Sequence, residues 1–154
     1  MKKLRFLLSI ILFIGVSACG YSRLSDKSND LKFNTIEING DKRLAYILKN
    51  NLTLLSKVES KNTYDISINL TNSKASKIKD VTGKTTRFNL VLNGDLKLTN
   101  NNKVVYNRMF TVNNDYDVSK NHSDTIRNEK NSMQSNIDAL SEEIAKYIQL
   151  INLN

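Results

Sequence analysis

The stretch Thr85–Tyr116, TTRFNLVLNGDLKLTNNNKVVYNRMFTVNNDY, decides the fold of this chain. Apolar side chains occupy alternate positions in its first half, which is the pattern of a strand that buries one face and exposes the other. They are Phe88, Leu90, Leu92, Leu96 and Leu98, and Gly94 takes the remaining position of the series. The pattern predicts one long strand, about Thr85–Thr99, with Gly94 as a candidate bulge.

The position of the hairpin turn follows from the faces that the two strands would share. The dipeptide Asn93-Gly94 is typical of tight turns, but it would set Leu92 opposite Asp95 and mix apolar with polar side chains on one face. A turn at residues 100–102 keeps the two kinds apart, and the second strand then covers about Lys103–Tyr116. The predicted cross-strand pairs are Leu98–Val104, Leu96–Tyr106, Leu92–Phe110 and Leu90–Val112.

Before the hairpin, the sequence predicts a strand, a helix and a second strand. The first strand is about Leu31–Asn39 and ends at Gly40. Asp41 is suited to cap a helix over about Lys42–Ser56, because its carboxylate can accept hydrogen bonds from the free N–H groups of the first turn. Strict alternation of apolar and polar residues over 64–71 predicts the next strand, which is half-buried.

After the hairpin, apolar residues at steps of three, four and seven predict a helix over about Ser123–Leu150. They are Ile126, Met133, Ile137, Leu140, Ile144, Tyr147 and Ile151. Lys130 falls on the same stripe, so a helix lying across a sheet is favoured over a coiled coil. The predicted fold class is α+β: a two-layer sandwich with two helices packed on one face of a four-stranded mixed sheet, in the order β-α-β-β-β-α.

The first residues of the chain indicate export and lipidation. A basic start precedes the apolar run Phe6–Val16, which is too short to span a bilayer. Small residues then stand directly before Cys19, as in a signal peptide. A Cys in this place resembles the acylated Cys of bacterial lipoproteins; the alternative is a buried Cys at the end of a hydrophobic anchor. We expect a lipoprotein signal peptide at 1–18, a lipidated tether at 19–30 and a single α+β domain at 31–154.

Composition argues against catalysis and points to anionic lipid. The formal net charge is +8, and basic proteins often bind nucleic acid or anionic lipid. An exported lipoprotein seldom meets nucleic acid, so anionic lipid is the expected partner; the alternative is that the abundance of Asn, Lys and Ile reflects genome composition rather than selection for charge. His122 is the one His, the five Gly are scattered, and neither a zinc cluster nor a phosphate-binding loop is recognisable. We therefore expect no enzyme activity, no metal, and no cofactor besides the covalent lipid on Cys19.

The order of these features resembles the LPS-assembly lipoprotein family, LptE. The resemblance rests on Cys19-Gly20-Tyr21, on the helix start Asp41–Leu44, on the long hairpin that ends at Tyr116, and on a closing helix like Ile137–Ile151. It implies a lipid-anchored protein on the periplasmic face of the outer membrane. It also implies a heterodimer with an LptD-type β-barrel, which such proteins plug and help to assemble, and binding of lipopolysaccharide during its export.

Residues 72–84 are polar, and we expect a loop there, with Gly83 supplying a turn at positive φ. Together with the residues that follow, this segment carries the densest basic run: Lys74, Lys77, Lys79, Lys84 and Arg87. Lys and Arg donate charge-assisted hydrogen bonds to phosphate, and lipid A carries phosphates. Our hypothesis is that this end of the hairpin binds lipopolysaccharide; the alternative is a solvated loop.

Two other functions stay open at this point. One is a different periplasm-facing lipoprotein that acts as a binding or inhibitor module. The other is a small hydrolase with an unrecognised site, for which a deep pocket lined by paired ionisable groups would be the sign.

Overall fold

The structure, a computed structural model, describes residues 31–54, 56 and 62–151. Its elements are β1 (Leu31–Asn39), α1 (Lys42–Thr53), β2 (Asn62–Lys79), β3 (Thr85–Asn100), β4 (Lys103–Asp117) and α2 (His122–Ile151). The predicted signal peptide, the tether and Cys19 lie outside the described residues. Neither described helix has an apolar stretch long enough to cross a bilayer.

The four strands form one sheet in the order β1-β2-β3-β4. β1 runs parallel to β2, and the two remaining pairs are antiparallel. Apolar side chains from both helices join one continuous core with the same face of the sheet. The predicted fold class, a two-layer α+β sandwich with two helices on one face of a mixed sheet, is confirmed.

The core is centred on β3. Its side chains Leu90, Leu92, Leu96 and Leu98 are at most 1% exposed. At Gly94 the pairing with both neighbouring strands is unbroken, so the expected bulge is absent there. A Cβ at this position would lie 3.2 Å from Cδ2 of Leu140 in α2. The missing side chain of Gly94 therefore lets the helix approach the sheet closely.

The β3–β4 turn is shorter than predicted, and the predicted register is wrong by two residues. Asn101 and Asn102 both have positive φ, as a two-residue hairpin turn with the twist of the strands requires. Asn is one of the few residues that tolerate this conformation. A one-residue shift between Leu98 and Thr99 then restores the separation of the faces. The observed pairs are Leu98–Tyr106, Leu96–Arg108, Leu92–Val112 and Leu90–Asn114.

Helix α1 begins as predicted and ends three residues early. The Asp41 carboxylate accepts hydrogen bonds from the backbone N–H groups of Arg43 and Leu44 at 2.9 and 3.1 Å. The helix ends at Thr53, and the Ser56 hydroxyl accepts a hydrogen bond from the backbone N–H of Phe33 at 2.9 Å. In place of the last predicted turn, the chain thus makes a contact with β1.

Strand β2 is much longer than predicted, and the expected loop at 72–84 is wrong. The strand continues to Lys79, and the connection to β3 is only the turn Asp80–Lys84. Residues 71–79 are all exposed. The apolar alternation that marked the strand stops at Leu70 because the core stops there, while backbone pairing with β3 continues.

Gly40 is predicted to tolerate substitution far less well than Gly83. Gly40 has a φ of +122°, and an added Cβ would lie 2.5 Å from the carbonyl oxygen of Leu70. We expect Gly40→Ala to lower the free energy of unfolding by more than about 2 kcal/mol, through strain and this clash. Gly83 has a φ of +82° and open space around it, so Gly83→Ala should cost only about 1 kcal/mol. Urea unfolding of both variants checks this, and equal losses would contradict it.

Candidate functional site

The face of the sheet that is turned away from the helices is largely polar. Side chains pair across it, since the Thr111 hydroxyl donates to Asn93 and the Asn89 amide donates to Asp115, both at 2.8 Å. Its apolar members include Met109, which is 66% exposed, and Val91 and Val104, which pair with Asn113 and Thr99. Other members of this outer face are Ser67, Asn69, Thr71, Asp95, Lys97, Asn107 and Asn113. We call this surface the outer face.

The structure brings the five predicted basic residues to one end of the β2–β3 hairpin, but on different sides of it. Lys74 lies on the helix side, whereas Lys77 and Arg87 lie on the outer face with Asp115 and Asp117. Lys79 ends β2, and Lys84 closes the turn before β3. Successive side chains of a strand point to opposite faces, so the five basic residues are divided between the two sides of the sheet. The expected loop did not predict this division.

Lys74 lies in an aromatic and acidic setting. Its ammonium is 3.0 Å from the Glu129 carboxylate in α2 and lies over the rings of Phe88 and Tyr116, at 4.5 and 5.1 Å from their centroids. Partial burial lowers the pKa of Lys74, but the Tyr116 hydroxyl and Glu129 outweigh it and the pKa is raised. For the Tyr116 phenol, burial acts in the opposite direction and raises the pKa. This cation is therefore tied to the protein itself.

Two further basic residues are paired on the outer face. Lys77 donates to the carboxylate of Asp115, and Arg87 donates to that of Asp117 at 2.6 Å. Lys77 and then Asn89 hold the pKa of Asp115 below its usual value, and Arg87 does the same for Asp117. Within residues 31–54, 56 and 62–151, Lys79 and Lys84 make no ion pair.

The turn that carries these two lysines is ordered by Asp80. Its Oδ1 accepts hydrogen bonds from the hydroxyl and backbone N–H of Thr82 and from the backbone N–H of Lys84, at 2.6 to 3.0 Å. The Thr82 hydroxyl is the main reason that the pKa of Asp80 is lowered. Val81 projects fully into solvent. The tip is thus a turn fixed by Asp80 that carries one exposed apolar side chain and two lysines without an ion pair in the described part of the chain.

Catalytic groupings are not apparent in this part of the molecule. No group of three or more His, Cys, Asp or Glu side chains among the described residues could hold a metal ion. His122, which directly precedes the helix predicted over about Ser123–Leu150, is the exposed first residue of α2. The two lysines of the tip are suited to binding an anion.

The Lys77–Asp115 pair should make stability depend on pH in the acid range. The folded pKa of Asp115 is below the unfolded value of about 3.9, so the pair stabilises the fold above about pH 4 and loses this effect as pH falls through the folded pKa. Urea unfolding at pH 6 and pH 3 should show a smaller loss of stability on acidification in Lys77→Ser than in the wild type. Lys97→Ser, at an outer-face lysine without an ion pair, is the control; equal pH dependence in all three proteins would contradict the assignment.

Comparisons with known proteins place the fold among bacterial lipoproteins. No protein-family model and no curated protein matches the chain. The solved structure of rare lipoprotein B from Shewanella oneidensis is similar with a TM-score of 0.64 and 12% identity, over 80% of this chain and 97% of that one. A lipoprotein B from Nitrosomonas europaea gives 0.64 and 13%, over 84% and 90%. A minor lipoprotein from Acinetobacter baumannii gives 0.60 and 18%, over 77% and 90%. The resemblance inferred from the sequence is thus confirmed as a likeness of fold to lipoproteins of this type.

Proposed function

We propose that this chain is a non-catalytic outer-membrane lipoprotein, acylated on Cys19, that plugs and helps to assemble an LptD-type β-barrel translocon. In this role it faces the periplasm and binds lipopolysaccharide during its export to the cell surface. The proposal joins the lipoprotein signal at the start of the sequence with a fold that solved lipoproteins share.

The observation that carries the proposal is the polar outer face. In a sheet with helices on one side, the other side must be compatible with whatever it meets. The lumen of a large transmembrane β-barrel is polar, and side chains such as Asn93, Thr111 and Asn113 can exchange hydrogen bonds with such a wall. A lipid-facing or core-facing surface would instead be apolar. The outer face therefore fits enclosure by a wet barrel.

The basic end supports the second half of the proposal. Lys79 and Lys84 stand at an ordered tip and make no ion pair in the described chain, with Asp80 as the nearby acidic group of Lys84. Charge-assisted hydrogen bonds to phosphate are strong. Arg87 is close by and exchanges its carboxylate partner for phosphate at modest cost, because exposed ion pairs contribute little. These three residues are the proposed phosphate ligands; Lys74 is held by Glu129 and two aromatic rings, and Lys77 is paired with Asp115.

Purification of the native lipidated protein in mild detergent tests the partner. We expect a stoichiometric complex with a large outer-membrane β-barrel, and an acylated Cys19 at the mature N-terminus by mass spectrometry. A protein that is acylated but recovered alone would favour a different periplasm-facing lipoprotein, such as a binding or inhibitor module. An unacylated protein would contradict the anchor.

Removal of the tip cations should weaken lipopolysaccharide binding without unfolding the protein. We expect the combined Lys79→Ser, Lys84→Ser and Arg87→Ser changes to raise the Kd for lipopolysaccharide about tenfold or more, since a hydrogen bond to a charged group contributes about 1.5–3 kcal/mol. The control combines Lys97→Ser, Lys103→Ser and Lys146→Ser, which remove the same charge elsewhere. Equal weakening in both variants would show a non-specific charge effect, and unchanged binding in the first would refute the site.

A further inference from the structure

A cleft of about 310 Å³ lies outside the basic tip, on the helix side of the sheet. It opens between the first turn of α1 and the first half of α2, where β2 runs past the end of α1. Residues from all three elements line it: Asp41, Arg43, Leu44, Asn72, Ile126, Glu129, Lys130, Met133 and Gln134.

The floor of this cleft is apolar because it is the open edge of the core, to which Leu44 belongs and against which Met133 packs. The apolar stripe of α2 continues towards its N-terminus through Met133 to Ile126, beyond the point where α1 covers the helix. As a result Met133 is only half-buried and Ile126 is 53% exposed, although both lie on the stripe. Buried Leu44 of α1 forms the opposite wall. The described residues therefore leave the apolar floor of the cleft exposed to solvent.

The charged side chains around the cleft favour an anionic occupant. Asp41 and Glu129 are already engaged, the first by the N–H groups of α1 and the second by Lys74. Arg43 and Lys130 are exposed and make no ion pair within the residues that the structure describes. With the Glu129–Lys74 pair neutral and Asp41 carrying one negative charge, Arg43 and Lys130 leave a net charge of +1 beside the apolar floor. An apolar chain with an anionic head group satisfies both features.

We propose that this cleft binds one acyl chain of lipopolysaccharide, with Arg43 and Lys130 contacting a phosphate of the same molecule. The identity of the lipid rests on the proposed function; the cleft and its charges do not. Asn72 in the cleft and Lys79 at the tip are seven residues apart along β2, which is about 23 Å. The cleft is therefore a second contact for the lipid, separate from the tip phosphate site.

Site-specific photo-crosslinking in cells that make the intact lipoprotein tests this inference. A benzoylphenylalanine is placed at Met133 in the cleft, and in a second variant at the exposed Ile126, in case the first does not fold. Val104, which is 62% exposed at the start of β4 and far from the cleft, is the matched apolar control. Val81 at the tip reports separately on the proposed function.

We expect lipopolysaccharide adducts from the cleft position and none from Val104. Arg43→Glu with Lys130→Glu should reduce the cleft adduct about tenfold, whereas Lys49→Glu with Lys146→Glu should not. An adduct from Val81 without one from the cleft would overturn this inference and leave the proposed function standing. Absence of adducts from both would count against both. A cleft adduct with phospholipid or protein only would overturn the assignment to lipopolysaccharide.

Discussion

Close packing of α2 against the central strand β3 is the constraint on which the rest of this structure depends. Strand β3 buries its leucines on the helix side only. Gly94, which has no side chain, leaves room on that side for Leu140 and Ile144 of α2. α1 fills the remainder of the same side, so both helices occupy one layer. Most of the large apolar side chains are buried on that side, so the outer face is left mainly to polar side chains. The functional proposal follows from this one-sided burial.

The hairpin β2–β3 extends beyond the helix layer, and this extension creates the candidate site. Beyond Lys74, which still contacts Glu129 of α2, backbone pairing with β3 holds the strand as far as Lys79. Cross-strand ion pairs such as Arg87–Asp117 place charges at fixed positions on it. The same overhang leaves part of the α2 stripe uncovered beside Leu44. A polar tip and an apolar cleft therefore have one structural origin.

Most of the fold could be predicted from periodicity, and the failures share a physical cause. The two helices and the one-sided strands were readable because each is marked by contact with the core, and the cap at Asp41 was readable because Asp is suited to the start of a helix. The end of β2 was not, since exposed residues 71–79 carry no apolar signal. The β3–β4 register was wrong because hydrophobic alternation fixes faces, while a slip of two residues leaves the faces unchanged. The clustering of the basic residues was predictable. Their separation onto two sides of the sheet was not, because it depends on β2 continuing to Lys79 as a strand.

The most direct test of the account is to ask what the outer face touches in the membrane. A photo-crosslinking residue at Thr111, in the middle of this face and away from both helices, reports its neighbour in native outer membranes. The account predicts an adduct with a large β-barrel protein. An outer face that gives no barrel adduct, although the acylated protein is present in the same membranes, would contradict it.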